Sequence, residues 1–179
     1  AQNLQEDVHT EKREHYASHI QKNVERMDKI IHQMLDMAKL ESDSFKIEFD
    51  EVSLSEISSK IINRYNSICD EKPITVSLTG EAVIEADKFL LERVVDNFFI
   101  NAVENTSEGG KINIEILKDS FEVYNSGSHI PEDIIKDIWL PFKKGDKERS
   151  STKGTGIGLS IVRSILELHK FSYGVKNRE

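Results

Sequence analysis

A chain of 179 residues with 24 Lys and Arg against 32 Asp and Glu, a formal net charge of −8, has room for one domain of roughly 100 to 150 residues and an appendage. That charge has the wrong sign for a general nucleic-acid surface, which needs clustered cations to displace counterions, so no nucleic-acid partner is expected. Cys69 is the only cysteine, which excludes an internal disulfide or thiolate cluster and fits a buried, inert thiol, and no apolar run approaches the roughly 20 residues of a membrane helix.

Between Glu11 and Leu40 there is no Pro or Gly, and Tyr16, Ile20, Met27, Ile31, Met34, Leu35 and Ala38 recur at helical steps. The spacing predicts a long amphipathic helix, flanked by Lys22, Glu25, Arg26, Asp28 and Lys29 and suited to packing against partner helices. Ala1 to Val8 read as the tail of a preceding helix, with Thr10 as N-cap of the long one. After Ser42-Asp43-Ser44, the alternation Phe45, Ile47, Phe49 predicts a half-buried strand. Ser53 with Glu56 forms a capping-box signal for a helix to about Asp70. Ile74 to Leu78 and Ala82 to Glu85 are short β-prone runs joined at Thr79-Gly80, and Asp87 caps a helix reaching about Glu104. Ile112 to Leu117 and Phe121 to Tyr124 predict an antiparallel hairpin, and Ile134 to Trp139 a short helix. Lys143 to Lys153 is nearly free of apolar residues and reads as a mobile loop. Ile157 to His169 is a last helix, followed by the β-prone run Phe171 to Val175. Helices on one face of a mixed sheet, preceded by a long helical arm, make an α+β two-layer sandwich.

The strongest chemical signal is Gly154-Thr155-Gly156-Ile157-Gly158, between a polar loop and a helix. Glycines let backbone approach a polyanion, and the unpaired N–H groups of a helix's first turn point at it. The same run also suits a flexible hinge. No Lys-Ser or Lys-Thr follows it as in a Walker loop, and no parallel βαβ unit supports a dinucleotide site. Asn97 and Asn101, four apart, project from one helix face, where their oxygens suit Mg²⁺ or a helix-packing hydrogen bond. Asn125 ends a strand and offers an acceptor for an adenine amine, or is an ordinary turn residue. Lys143, Lys144, Lys147, Arg149 and Lys153 form either a phosphate-covering lid or a solvated basic loop. The histidines His9, His15, His19 and His32, on or beside the arm, lack metal-site spacing.

In order along the chain, these segments resemble the catalytic domain of sensor histidine kinases, within the superfamily that includes gyrase, the Hsp90 chaperones and the MutL repair proteins. Asp96 to Ala102 looks like the asparagine box and Asn125-Ser126-Gly127 like the first glycine box. Trp139-Leu140-Pro141-Phe142 looks like the phenylalanine box and Gly154 to Leu159 like the second glycine box. The resemblance implies an ATP site made of Arg93, Asn97, Asn101, Asn105, Asn125, Gly127, Ile130, Phe142, Lys144, Lys153, Gly154, Thr155, Gly156, Ile157, Gly158 and Leu159. Asn101, supported by Asn97, would hold Mg²⁺, Asn125 would read adenine, and Phe142 would anchor the lid. It further implies a homodimer through residues 1–42, part of the dimerisation hairpin, followed by an ATP-binding domain at 43–179. A response regulator is the implied partner. The implied location is the cytoplasmic part of a bacterial membrane sensor, with any membrane segment and the accepting histidine upstream of Ala1 and the C-terminal strand cut short.

Four positions depart from the family pattern. Asn125 stands for an Asp, His129 for a glycine, and Glu104 and Asn105 for a basic and an aromatic residue. Glu104 would repel phosphate, leaving neutralisation to lid lysines and Arg93. No histidine here is followed by an acidic residue and then a proline, the context of the phosphate acceptor. A non-catalytic scaffold of the same fold and an ATP-gated machine remain the competing readings; the latter would place a glutamate where Asn97 stands.

Overall fold

A computed structural model describes residues 2–42, 45–143 and 154–178, with side chains from residue 12 onward. The arm is a single helix, α1 (Gln2–Leu40). The break expected between Val8 and Thr10 is absent, because nothing there stops a helix: no Pro or Gly interrupts the run and Thr10 lies inside it.

The first strand is β1 (Asp50–Ser53), later than the predicted Phe45 to Phe49 run. Its antiparallel partner β3 (Val83–Ala86) has four residues, and these pair with Asp50 to Ser53, Val52 facing Ile84. Val52 is buried while Phe49 stays 58% exposed, so the apolar alternation at 45–49 was surface packing rather than strand pairing. Helix α2 (Leu54–Glu71) starts at Ser53, whose hydroxyl accepts from the Glu56 N–H at 3.3 Å. β2 (Thr75–Thr79) and β3 are joined through Gly80 at φ 81° but enter different sheets. Ile116 O would lie 1.9 Å from a Cβ at Gly80, so only glycine fits this crossing.

Helix α3 (Lys88–Asn105) is capped by Asp87, whose Oδ1 accepts from the Leu90 N–H at 3.0 Å. β4 (Lys111–Ile116) lies between β2, to which it is parallel, and β5 (Phe121–Asn125), to which it is antiparallel. Its alternation buries Ile112, Ile114 and Ile116. A short α4 (Glu132–Ile135) precedes α5 (Gly158–Leu168), which packs against α3 and α1. The core combines Ile57 and Ile61 of α2, Val95 and Phe99 of α3, Ile161 and Ile165 of α5 and the β4 isoleucines. Cys69 is buried too, and desolvation pushes its thiol pKa up.

Two polar clamps hold α3 in place. Arg64 of α2 bonds Asp96 at 2.7 Å and Glu92 at 2.8 Å, with Lys60 on Glu92 at 2.9 Å. At the other end the Asp87 N–H donates to His169 Nε2 at 3.0 Å. His169 Nδ1 lies 2.8 Å from Ile165 O; a carbonyl only accepts, so this nitrogen carries the hydrogen.

The run 171–175 forms no strand. Side chains fasten it instead: Phe171 stacks on His169, and Tyr173 meets Trp139 edge-on at 4.7 Å and donates to Glu167 at 2.7 Å. Further on, Asn177 exchanges two hydrogen bonds with the Ile130 backbone, at 2.9 and 2.8 Å.

A candidate nucleotide site between the third helix and the glycine segment

One face of α3 carries Asn97, Asn101, Glu104 and Asn105 at steps of four, three and one. The Asn97 Nδ2 donates to Arg93 O at 2.8 Å, which turns Oδ1 toward α5. A Cβ added at Gly158 would lie 2.7 Å from that oxygen, so the first turn of α5 meets Asn97 with backbone alone. Ile157 occupies the N-cap of α5 and is buried, so among the described residues no side chain caps the N–H groups of this first turn.

Asn105 Nδ2 donates to Asn101 O at 2.9 Å and Asn101 Oδ1 at 3.1 Å, fixing the Asn101 amide with its oxygen toward Asn105. That oxygen keeps a second lone pair, and amide oxygens suit a hard divalent cation. At the far end of the face, Asn125 Nδ2 approaches Asn105 O at 3.5 Å and donates to Ser128 Oγ at 2.8 Å. The Asn105 carbonyl can only accept, so the Asn125 nitrogen turns toward it and the amide oxygen turns away. Gly127, two residues on, takes φ 82°, and a Cβ there would sit 3.3 Å from Ser107 Oγ.

On the opposite wall, Gly154 and Gly156 take φ 68° and 75°. The Phe142 N–H donates to Gly156 O at 2.7 Å, and Phe142 itself has φ 62° and is 59% exposed. Ile157 is buried and Leu159 partly buried in the core beneath the segment. Lys144 and Lys153, with Lys147 and Arg149, lie outside the described residues, as do Asp43 and Ser44; Lys143 pairs with Asp137 at 3.0 Å. A separate cleft of about 630 Å³ opens at the other end of α3, among Asp36, Phe49, Phe89 and Arg93.

Sequence reasoning missed how α1 meets this site. Thr155 Oγ1 donates to Gln33 Oε1 at 2.6 Å, and Arg26 reaches Gly154 O at 3.5 Å. Asp36 pairs with Arg93 at 2.5 Å, so the guanidinium expected near phosphate is engaged by the arm. Arg26, Ile30, Gln33, Met37 and Leu40 form a second stripe with steps of four, three, four and three. Its mixed polarity hid it beside the apolar stripe, which stays exposed at Ile20, Met27, Ile31 and Met34.

Comparison with known proteins identifies the family and the fold. Residues 86–179 match the family described as histidine kinase-, DNA gyrase B- and HSP90-like ATPases. Sensor protein CzcS of Cupriavidus metallidurans is 30% identical over 81% of this chain and 32% of its own length. Sensor histidine kinase HprS of Escherichia coli is 28% identical over 82% and 33%. The chain thus spans about a third of these two relatives. The solved catalytic domain of histidine kinase ThkA is 30% identical, covers 74% of this chain and 88% of its own, and superposes with a TM-score of 0.60. ThkA in complex with response regulator protein TrrA gives 0.69 at 28% identity, covering 88% and 45%. The chain belongs to the histidine kinase-, DNA gyrase B- and HSP90-like ATPase family, whose model matches just over half of it, and it has the catalytic fold of sensor histidine kinases.

Proposed function

We propose that this chain is the nucleotide-binding part of a sensor histidine kinase, taking Mg-ATP between α3 and residues 154–158. The observation that carries the reading is the approach of Gly158 to Asn97, which sets a side-chain amide oxygen against an uncapped helix start. In this reading Asn101 holds the divalent ion with support from Asn97, and the ion supplies positive charge against the triphosphate. The backbone of Gly154, Thr155, Gly156 and Gly158 cradles phosphate, and Asn125 accepts from the adenine amine. Lys144 and Lys153 belong to the covering lid, and Arg93 joins them once Asp36 releases it.

The reaction is in-line transfer. A histidine nitrogen attacks the γ-phosphorus, the bond from that phosphorus to the bridging β–γ oxygen breaks, and ADP leaves with the electron pair. No histidine of this sequence stands in an acceptor context, so the acceptor is assigned to another segment. Its phosphoryl group then passes to an aspartate of a response regulator, the kind of partner seen with ThkA. The exposed stripe of α1 is the dimerisation face in the same reading, residues 1–42 the arm and 43–179 the ATP-binding domain, and the location cytoplasmic beneath a membrane sensor.

A scaffold that binds no nucleotide is the second reading, favoured by the engagement of Thr155 and Arg93 with the arm. Calorimetric titration with ATP, with and without Mg²⁺, separates the two. Saturable binding weakened at least about tenfold by Asn101→Ala supports the kinase reading. A folded protein with no binding sinks it.

A further inference from the structure

Glu104 stands one turn beyond Asn101 on α3, half-buried, with its carboxylate turned toward the glycine segment. A Cβ added at Gly154 would lie 3.2 Å from Glu104 Oε2, so the acidic oxygen borders the backbone that would cradle phosphate. Among the described residues no ion pair engages Glu104, while Arg26 reaches the Gly154 carbonyl. A triphosphate entering here meets a negative charge at close range. A divalent cation shared between the two anions converts that repulsion into coordination, because hard cations take carboxylate and amide oxygens together. The step of three residues puts Asn101 and Glu104 on neighbouring positions of one helix face, as a shared ion requires.

We infer that Glu104 is a metal ligand that makes nucleotide binding at this site depend on a divalent cation. The inference rests on the nucleotide reading above and adds a residue and a dependence to it. An acidic ligand beside Asn101 forms a site that accepts the metal–nucleotide complex and rejects the free nucleotide. A neutral or basic side chain at this position would accept both.

The test is calorimetric titration of the whole chain with ATP in Mg²⁺ and in EDTA, for wild type, Glu104→Gln and Glu104→Lys, with Mn²⁺–ATP binding followed by paramagnetic resonance. Thermal melting checks that each variant is folded. The expected pattern has opposite signs: relative to wild type, Glu104→Gln binds metal-free ATP about tenfold tighter and Mg-ATP about tenfold weaker. The Mn²⁺ spectrum of its ATP complex changes, since one ligand is lost. Glu104→Lys binds metal-free ATP tightest of the three. If Glu104→Gln tightens both forms, the carboxylate only repels phosphate and the ligand role is overturned. Unchanged affinities overturn it as well. A folded wild type that binds nucleotide under neither condition overturns the nucleotide reading itself, and the Glu104 role with it.

Discussion

Thr155 donates its hydroxyl to Gln33 Oε1 across 2.6 Å, so the segment proposed to cradle phosphate is bonded to the helical arm of the same chain. A phosphate that takes the Thr155 hydroxyl must displace this bond. A net intramolecular hydrogen bond contributes about 0.5–1.5 kcal/mol, so Gln33→Ala is predicted to tighten ATP binding roughly three- to tenfold. Calorimetric affinities of the two proteins check it; equal values would mean that Thr155 is not asked to leave Gln33.

The orientation of Asn125 predicts base selection. Its nitrogen faces Asn105 O and Ser128 Oγ, which leaves an acceptor for an exocyclic amine and nothing suited to a guanine carbonyl. Wild type should prefer ATP to GTP, and Ser128→Ala, which frees the amide to flip, should reduce that preference about threefold or more. Asn125→Asp, an obligate acceptor, should restore it in the Ser128→Ala background. Competitive displacement of a fluorescent nucleotide reads all three. A preference untouched by Ser128→Ala would remove Ser128 from base selection.

Glu92 predicts a pH dependence of stability. Its hydrogen bond to Lys60, followed by that to Arg64, lowers its pKa below the ordinary 4.5. A carboxyl depressed in the folded state stabilises it fully above its unfolded pKa, and the contribution disappears as pH falls through the folded value. The stability gap between wild type and Glu92→Gln, about 0.2–1 kcal/mol for such exposed pairs, should hold at neutral pH and narrow as pH falls below the ordinary 4.5. Urea unfolding at pH 7, 5 and 3.5 measures it. A gap that widens with acid would contradict the assignment.

Local order was legible where one signal decided it. Ser53 and Asp87 cap helices because a side-chain oxygen meets an N–H three residues on, a relation contained in the sequence itself. The α3 face and the glycine run were legible for the same reason, since helix period and glycine content are local properties. Long-range pairing was not. Phe45 to Phe49 alternates as well as a strand does, yet β3 pairs with the next four residues, and Phe171 to Val175 is β-prone yet held by side chains. The docking stripe of α1 escaped notice because Arg26 and Gln33 interrupt Ile30, Met37 and Leu40, so a hydrophobic pattern could not flag a face held partly by hydrogen bonds.

Gly158 offers the sharpest packing test. Alanine is a better helix former than glycine, so in the first turn of α5 Gly158→Ala should on local grounds stabilise the protein. Against that, the new Cβ would lie 2.7 Å from Asn97 Oδ1, and Asn97 has little room to yield because its nitrogen is bonded to Arg93 O at 2.8 Å. The contact should win, with a loss of about 1–3 kcal/mol in urea unfolding. Truncating the obstructing side chain removes the conflict, so in the Asn97→Ala background Gly158→Ala should be neutral or mildly stabilising. The resulting coupling in the double-mutant cycle is at least about 1 kcal/mol. Additive effects would mean that the two residues do not meet as described, and the close backbone approach on which the proposed nucleotide site depends would be lost with them.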